Sequence, residues 1–166
     1  SACQSKHLQV GYDILSRPVL VVDIGSSTTD FAYIMGGKEV EIQTAGEVSL
    51  GGGIMDEMLL EISVKASEKP EKIRAVFEKS DAWRTYCEFA ARKLKEKYFS
   101  DEDYWNDNPC TETVLINYDK PLRLTFKIDS DTALKLTHGS SKKLDGKSFS
   151  ECLIFSLIDV KNLFIS

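Results

Sequence analysis

At 166 residues, with 42% hydrophobic and 28% charged side chains, the chain has the composition of a globular protein and enough length to bury one core, with room for an inserted lobe. A formal net charge of −5 gives no electrostatic basis for holding nucleic acid or an anionic membrane surface. Its longest basic cluster, Arg92 to Lys97, is broken by Glu96 and reads as one face of a helix. No apolar run reaches the roughly 18 residues needed to cross a bilayer. Four cysteines, Cys3, Cys87, Cys110 and Cys152, show no C-x-x-C pair and no regular spacing, so reduced thiols and a cytoplasmic location are expected.

In chain order, Ser1 to Arg17 reads as the tail of a helix followed by a loop, without an initiating methionine. Leu153 to Ile165 stops inside an apolar pattern without a cap. Both ends suggest a piece of a longer chain. Pro18 to Phe31 carries the strongest local signal. A β-branched and aliphatic run, Val19 to Val22, predicts a buried strand ending at Asp23, a Gly-Ser-Ser-Thr turn follows, and a second strand leaves at Asp30. Phe31 to Met35 continues that strand, Gly36-Gly37 supplies a tight hairpin turn, and Lys38 to Thr44 alternates apolar and polar residues. Three antiparallel strands are therefore expected.

Leu50-Gly51-Gly52-Gly53 ends this sheet and opens a helix in which Ile54, Met58, Leu59, Ile62 and Val64 recur at helical spacing, while Asp56, Glu57 and Glu61 are expected to point elsewhere. Pro70 starts a short charged helix to about Lys79. Ser80 or Asp81 caps a long one with apolar positions Trp83, Tyr86, Cys87, Ala90, Leu94 and Tyr98. Asp101 to Pro109, acidic and aromatic, reads as a surface loop. Thr111 to Asn117 and Leu122 to Ile128 form a second hairpin across Asp119-Lys120-Pro121. Asp129 begins a helix to about Thr137, Gly139 to Gly146 is a polar loop, and Phe149 to Phe164 is a closing helix. His7 and His138 are isolated, no Cys/His spacing fits zinc, and Trp83 and Trp105 read as structural anchors.

Small residues at the Gly25-Ser26-Ser27-Thr28 turn let backbone amides close on phosphate oxygens, and carboxylates beside it, Asp23 and Asp30, supply the hard oxygens that Mg²⁺ prefers. Thr28 and Thr29 add hydroxyls. Gly51-Gly52-Gly53 before a helix is a second, weaker phosphate cue, because a helix start offers unpaired donors and partial positive charge. Asp56 reads as a residue matching that helix dipole.

The order of these pieces resembles the second phosphate segment of the actin-like ATPases, most closely the DnaK-type, seventy-kilodalton heat-shock chaperone family. That family writes Asp-Leu-Gly-Gly-Gly-Thr-x-Asp and then Leu-Gly-Gly-x-x-x-Asp. Here Asp23, Gly25, Thr28 and Asp30 match, as do Leu50, Gly51, Gly52 and Asp56, while Ser26 and Ser27 replace two glycines. The family's adenosine helix, Glu-x-Ala-Lys-x-x-Leu-Ser, has two possible registers here. One matches Glu88 and Ala90, with Arg92 beside the lysine position. The other, which is favoured, matches Lys95-Glu96 with Arg92 three residues earlier and ends the helix at Tyr98-Phe99-Ser100.

The resemblance covers Val19 to Ser100 and implies an α/β (α+β) fold: a partial actin-like, ribonuclease H-like lobe with a hairpin unit at 1–52 and a helical subdomain with an inserted hairpin at 53–166. It implies ATP or ADP and Mg²⁺ as cofactors, with Asp23, Thr28 and Asp30 as catalytic groups and Asp23 and Asp30 as metal ligands. Gly25, Ser26, Ser27, Gly51, Gly52, Gly53, Glu88, Arg92 and Lys95 would bind the nucleotide. Implied partners are the remaining lobe of the ATPase domain and, through the full-length chain, a client peptide and a co-chaperone, with neither nucleic acid nor membrane. A sugar or small-molecule kinase, an actin-like filament protein and a degenerate interaction module are the alternatives.

Overall fold

A computed structural model describes residues 18–35, 38–40 and 50–162, with backbone alone at 39–40 and 159–162. The expectations for Ser1 to Arg17, the Gly36-Gly37 turn, the strand residues Glu41 to Thr44 and the helix end at Leu163 and Phe164 lie outside these residues. The protein is a mixed α/β molecule with two small antiparallel sheets. Its chain divides into two compact units, residues 1–52 with 153–166, and residues 53–152.

In the first unit, β1 (Val19–Ile24), β2 (Thr29–Met35) and β3 (Lys38–Val40) form a sheet in the order β1-β2-β3. Val19 pairs with Ile34, Asp23 with Asp30 and Ile24 with Thr29, a register set by the four-residue connection at Gly25 to Thr28. Because side chains alternate along a strand, Asp23 and Asp30 stand on one face, and Val22, Ile24, Thr29 and Phe31 on the other.

The second unit carries the main core. After α1 (Gly52–Ala66) come α2 (Pro70–Lys79), α3 (Asp81–Ser100) and α4 (Glu102–Asp107), then the hairpin β4 (Cys110–Asn117) and β5 (Pro121–Ile128), α5 (Ser130–His138) and the start of α6 (Phe149–Asn162), whose residues from Leu153 onward belong to the first unit. Helix α3 organises it. Cys87, Ala91, Leu94 and Tyr98, at spacings of four, three and four, are buried along one stripe that meets the inward face of the hairpin. There Val114 lies opposite Leu124 and Ile116 opposite Leu122, with Phe126 and Ile128 completing the layer. The outward face is polar and includes Thr113 and Thr125, whose hydroxyls are 3.1 Å apart.

Two expectations for this unit require correction. Tyr86, assigned to the apolar stripe of α3, is exposed, and Ala91 occupies the core position, one turn past Cys87. Asp101 to Pro109 is not an irregular loop but contains α4. Asp101 accepts from the Tyr104 N–H at 3.4 Å as its cap, and Glu102 and Asp103 fill the first turn, so the acidity that suggested a loop suits a helix start. Helix α4 is tied to α3 by Tyr98, whose hydroxyl donates to Asn106 Oδ1 at 2.6 Å, and by Lys97, stacked over Trp105 at 4.3 Å.

Helix caps follow the sequence closely. Ser148 and Glu151 form a reciprocal capping box: the Ser148 N–H donates to Glu151 Oε2 at 2.7 Å, and the Glu151 N–H to Ser148 Oγ at 3.2 Å. Asp129 caps α5 by accepting from the Thr132 N–H at 2.9 Å. The Lys127 ammonium at 2.8 Å, together with the Thr132 donors, holds the Asp129 carboxyl well below the usual carboxylate range.

Burial makes Cys87 chemically quiet, since desolvation of its thiolate pushes the thiol up to about 12. In the native protein Cys87 and Cys110, both 0% exposed, should resist alkylation at pH 8 while the half-buried Cys152 reacts, as mass spectrometry of labelled peptides would record. Rapid native labelling of Cys87 would contradict the packing of α3. The depressed Asp129 carboxyl contributes stability that is present above the ordinary carboxylate range and lost as pH falls below about 4. Asp129→Ala should therefore flatten the fall of the urea midpoint on acidification, and an unchanged pH profile would remove that role.

Candidate nucleotide site

The first cluster is built on the β1–β2 turn. Gly25 closes it by donating its N–H to the Thr28 carbonyl at 2.8 Å, and the carboxylates of Asp23 and Asp30, a directly opposed pair, are both exposed on one side. The Thr28 hydroxyl is 3.3 Å from Asp30 Oδ2. Ser26 and Ser27 form the exposed tip.

A second segment, 21 residues after Thr29, comes back to this turn. Gly52 donates its N–H to the Gly25 carbonyl at 2.9 Å, and the Thr29 hydroxyl donates to the Leu50 carbonyl at 2.6 Å. Gly51 passes so close that a Cβ there would stand 2.5 Å from the Ser26 carbonyl oxygen and from backbone atoms of Ser27. Only glycine fits at that approach. Both glycine motifs thus meet in one place, with Gly53 next along in the first turn of α1. The Gly52 amide serves this contact and the Gly25 amide closes the turn on Thr28, which leaves Ser26, Ser27 and Thr28 as the turn amides that an anion would use.

The two facing carboxylates and the Thr28 hydroxyl suit a hydrated Mg²⁺, which commonly takes one or two carboxylates and completes its shell with water and phosphate. Among the described residues no group of three or more His, Cys, Asp or Glu side chains is gathered for a metal.

The second cluster lies within the second unit. Asp56, expected on the polar side of α1, is buried, with its side chain 4% exposed. Two cations of α3 surround it: Arg92 Nε lies 3.0 Å from Oδ2, and Lys95 Nζ 2.5 Å from Oδ1. The pairing explains how a carboxylate can sit inside, because an unpaired one would be strongly disfavoured there. The sequence carried the signal, since Asp56 stands three, four and seven residues before Leu59, Leu60 and Ser63, all buried. Arg92 and Lys95 come together as the favoured adenosine register requires, but on an internal carboxylate. Glu88 belongs to another network: Arg84 Nε donates to it at 2.9 Å, Arg84 also reaches Glu57 at 3.2 Å, and Lys143 approaches Glu57 at 2.6 Å.

Thr29 and Leu50 both stand in the motifs, but their bond was not visible there: the strand turns Thr29 to the apolar side, so its hydroxyl meets the Leu50 carbonyl and not the face of Asp23 and Asp30. No family description, no curated protein and no solved structure matches the chain. Among the described residues no helix is long and apolar enough to cross a membrane.

Replacing Asp56 by alanine removes the carboxylate that two cations share, one of them, Lys95, largely buried. Because Arg92 is 40% exposed and can turn to water, the expected loss is about 3 kcal/mol, the lower end for a broken buried pair. Urea denaturation would measure it, and a loss under about 0.5 kcal/mol, typical of a surface substitution, would contradict an internal role for this carboxylate.

Proposed function

We propose that the chain is the ATP-binding part of a divergent DnaK-like chaperone ATPase domain of the actin-like superfamily, acting in the cytosol. The observation that carries this reading is the meeting of Leu50-Gly51-Gly52 with the Gly25–Thr28 turn, since the two sequence segments that resemble the family's phosphate motifs contact each other through backbone. A backbone surface with no side chain at Gly51 and a pair of acids beside it is suited to a polyphosphate and its magnesium.

In this reading the amides of Ser26, Ser27 and Thr28 receive the β and γ phosphate oxygens, and Asp23 and Asp30 are the residues that would hold Mg²⁺. The metal supplies charge neutralisation at the phosphates. Asp23 orients the attacking water, and catalysis rests on positioning and electrostatics rather than a covalent intermediate. By the resemblance, the adenosine role falls to Arg92 and Lys95, which Asp56 prearranges within the second unit, and to Glu88, which pairs there with Arg84. Hydrolysis requires the opposing lobe, and its product state is transmitted to a peptide-binding domain and to a co-chaperone in the longer protein.

Two observations favour a second reading, a degenerate module that binds a partner and no nucleotide. Part of the charge of Arg92 and Lys95 is already neutralised by Asp56, and serines stand where the family has glycines. Titration calorimetry of the 166-residue chain separates the two. ATP binding that depends on Mg²⁺ is expected, weakened at least tenfold by Asp23→Asn, with steady-state hydrolysis near background. The absence of any ATP binding would support the module, and sustained turnover by the chain alone, abolished by Asp23→Asn, would overturn the need for a second lobe.

A further inference from the structure

Within a row of exposed residues from Asp23 to Asp30, Thr29 alone is buried, at 6%. It faces away from Asp23 and Asp30, opposite Ile24, where a valine would suit the strand equally well by shape and β-branching. What threonine adds is a hydroxyl, and it is spent on the Leu50 carbonyl at 2.6 Å. The Gly52 N–H bond to the Gly25 carbonyl makes the other attachment between the same two segments. Residues 25 and 29, the two anchored points, bracket Ser26, Ser27 and Thr28.

We propose that Thr29 is a positioning residue for anion binding: its hydroxyl ties the phosphate turn to Leu50–Gly52 and so holds the three bracketed amides in one arrangement before a ligand arrives. The proposal rests on the phosphate-binding reading above and deepens it. A five-residue turn anchored at one end samples several shapes, and ordering it on binding lowers affinity; anchoring both ends places that ordering in the folding step. Reciprocity follows: if the tie favours the anion, a bound anion must favour the tie.

The test uses Mg²⁺ with pyrophosphate, with ATP and with adenosine, on wild type, Thr29→Val and Thr29→Ser, after circular dichroism has established folding. Thr29→Val is expected to lose about tenfold in affinity for Mg²⁺-pyrophosphate and Mg²⁺-ATP and to keep wild-type affinity for adenosine, while Thr29→Ser, which retains the hydroxyl, restores pyrophosphate binding. General destabilisation would lower all three affinities or none. A second measurement needs no variant: hydrogen exchange at the Gly52 amide should slow several-fold when Mg²⁺-pyrophosphate is bound to wild type. Equal pyrophosphate affinity in wild type and folded Thr29→Val, or an unaltered Gly52 exchange rate with ligand bound, would overturn the role of Thr29 alone. Failure of wild type to bind Mg²⁺-ATP would overturn the nucleotide reading and this role with it.

Discussion

The backbone at Gly51 lies closer to the turn tip than any side chain would allow, with a Cβ there only 2.5 Å from Ser26 and Ser27. Everything in the candidate phosphate site depends on this approach. It places the Leu50 carbonyl within reach of Thr29 and the Gly52 amide within reach of Gly25, and it lets a turn of small residues be held from one side while its tip stays exposed. The acids, on the strand face opposite Thr29, remain available to a metal. A hairpin alone would be marginal in water, so a second segment that fixes the turn by backbone contacts gives it definition that its side chains cannot.

The second unit applies a different rule, in which a long helix supplies both the apolar and the polar side of the packing. Cys87, Ala91, Leu94 and Tyr98 meet the β4–β5 hairpin, and from the same helix Arg92 and Lys95 reach Asp56 of α1. A hydrophobic stripe is tolerant of small rotations. A buried carboxylate held by two cations is not, because each lost contact leaves a charge without compensation. The ion triad therefore specifies the facing of α1 and α3 more narrowly than apolar contact does, and it arranges two cationic groups in one place.

Much of the fold was legible because its elements follow simple periods. The alternation of β5 from Leu122 to Ile128, the proline that opens α2 and the Ser80 cap of α3 each point to one structure. Helix α4 was missed because an acidic, aromatic stretch was weighed by composition, while the cap geometry at Asp101 decides it. Asp56 was misassigned by its chemistry, although its spacing to Leu59, Leu60 and Ser63 placed it inside; a charge can follow the apolar stripe when cations on another element meet it. Of the candidate site, Asp23, Gly25, Thr28 and Asp30 were visible as a motif. The Thr29–Leu50 tie was not, because a hydroxyl on an apolar face has no pattern until its carbonyl partner, distant in sequence, is known.

The proposed function rests on a phosphate binding at the turn bracketed by Gly25 and Thr29. Nuclear magnetic resonance titration of the isotope-labelled chain with Mg²⁺-ATP tests it at the atoms concerned. Saturable shifts of the Ser26, Ser27 and Thr28 amides are expected, reproduced by Mg²⁺-pyrophosphate. Unmoved amides at these three residues, while nucleotide binds elsewhere or not at all, would contradict it.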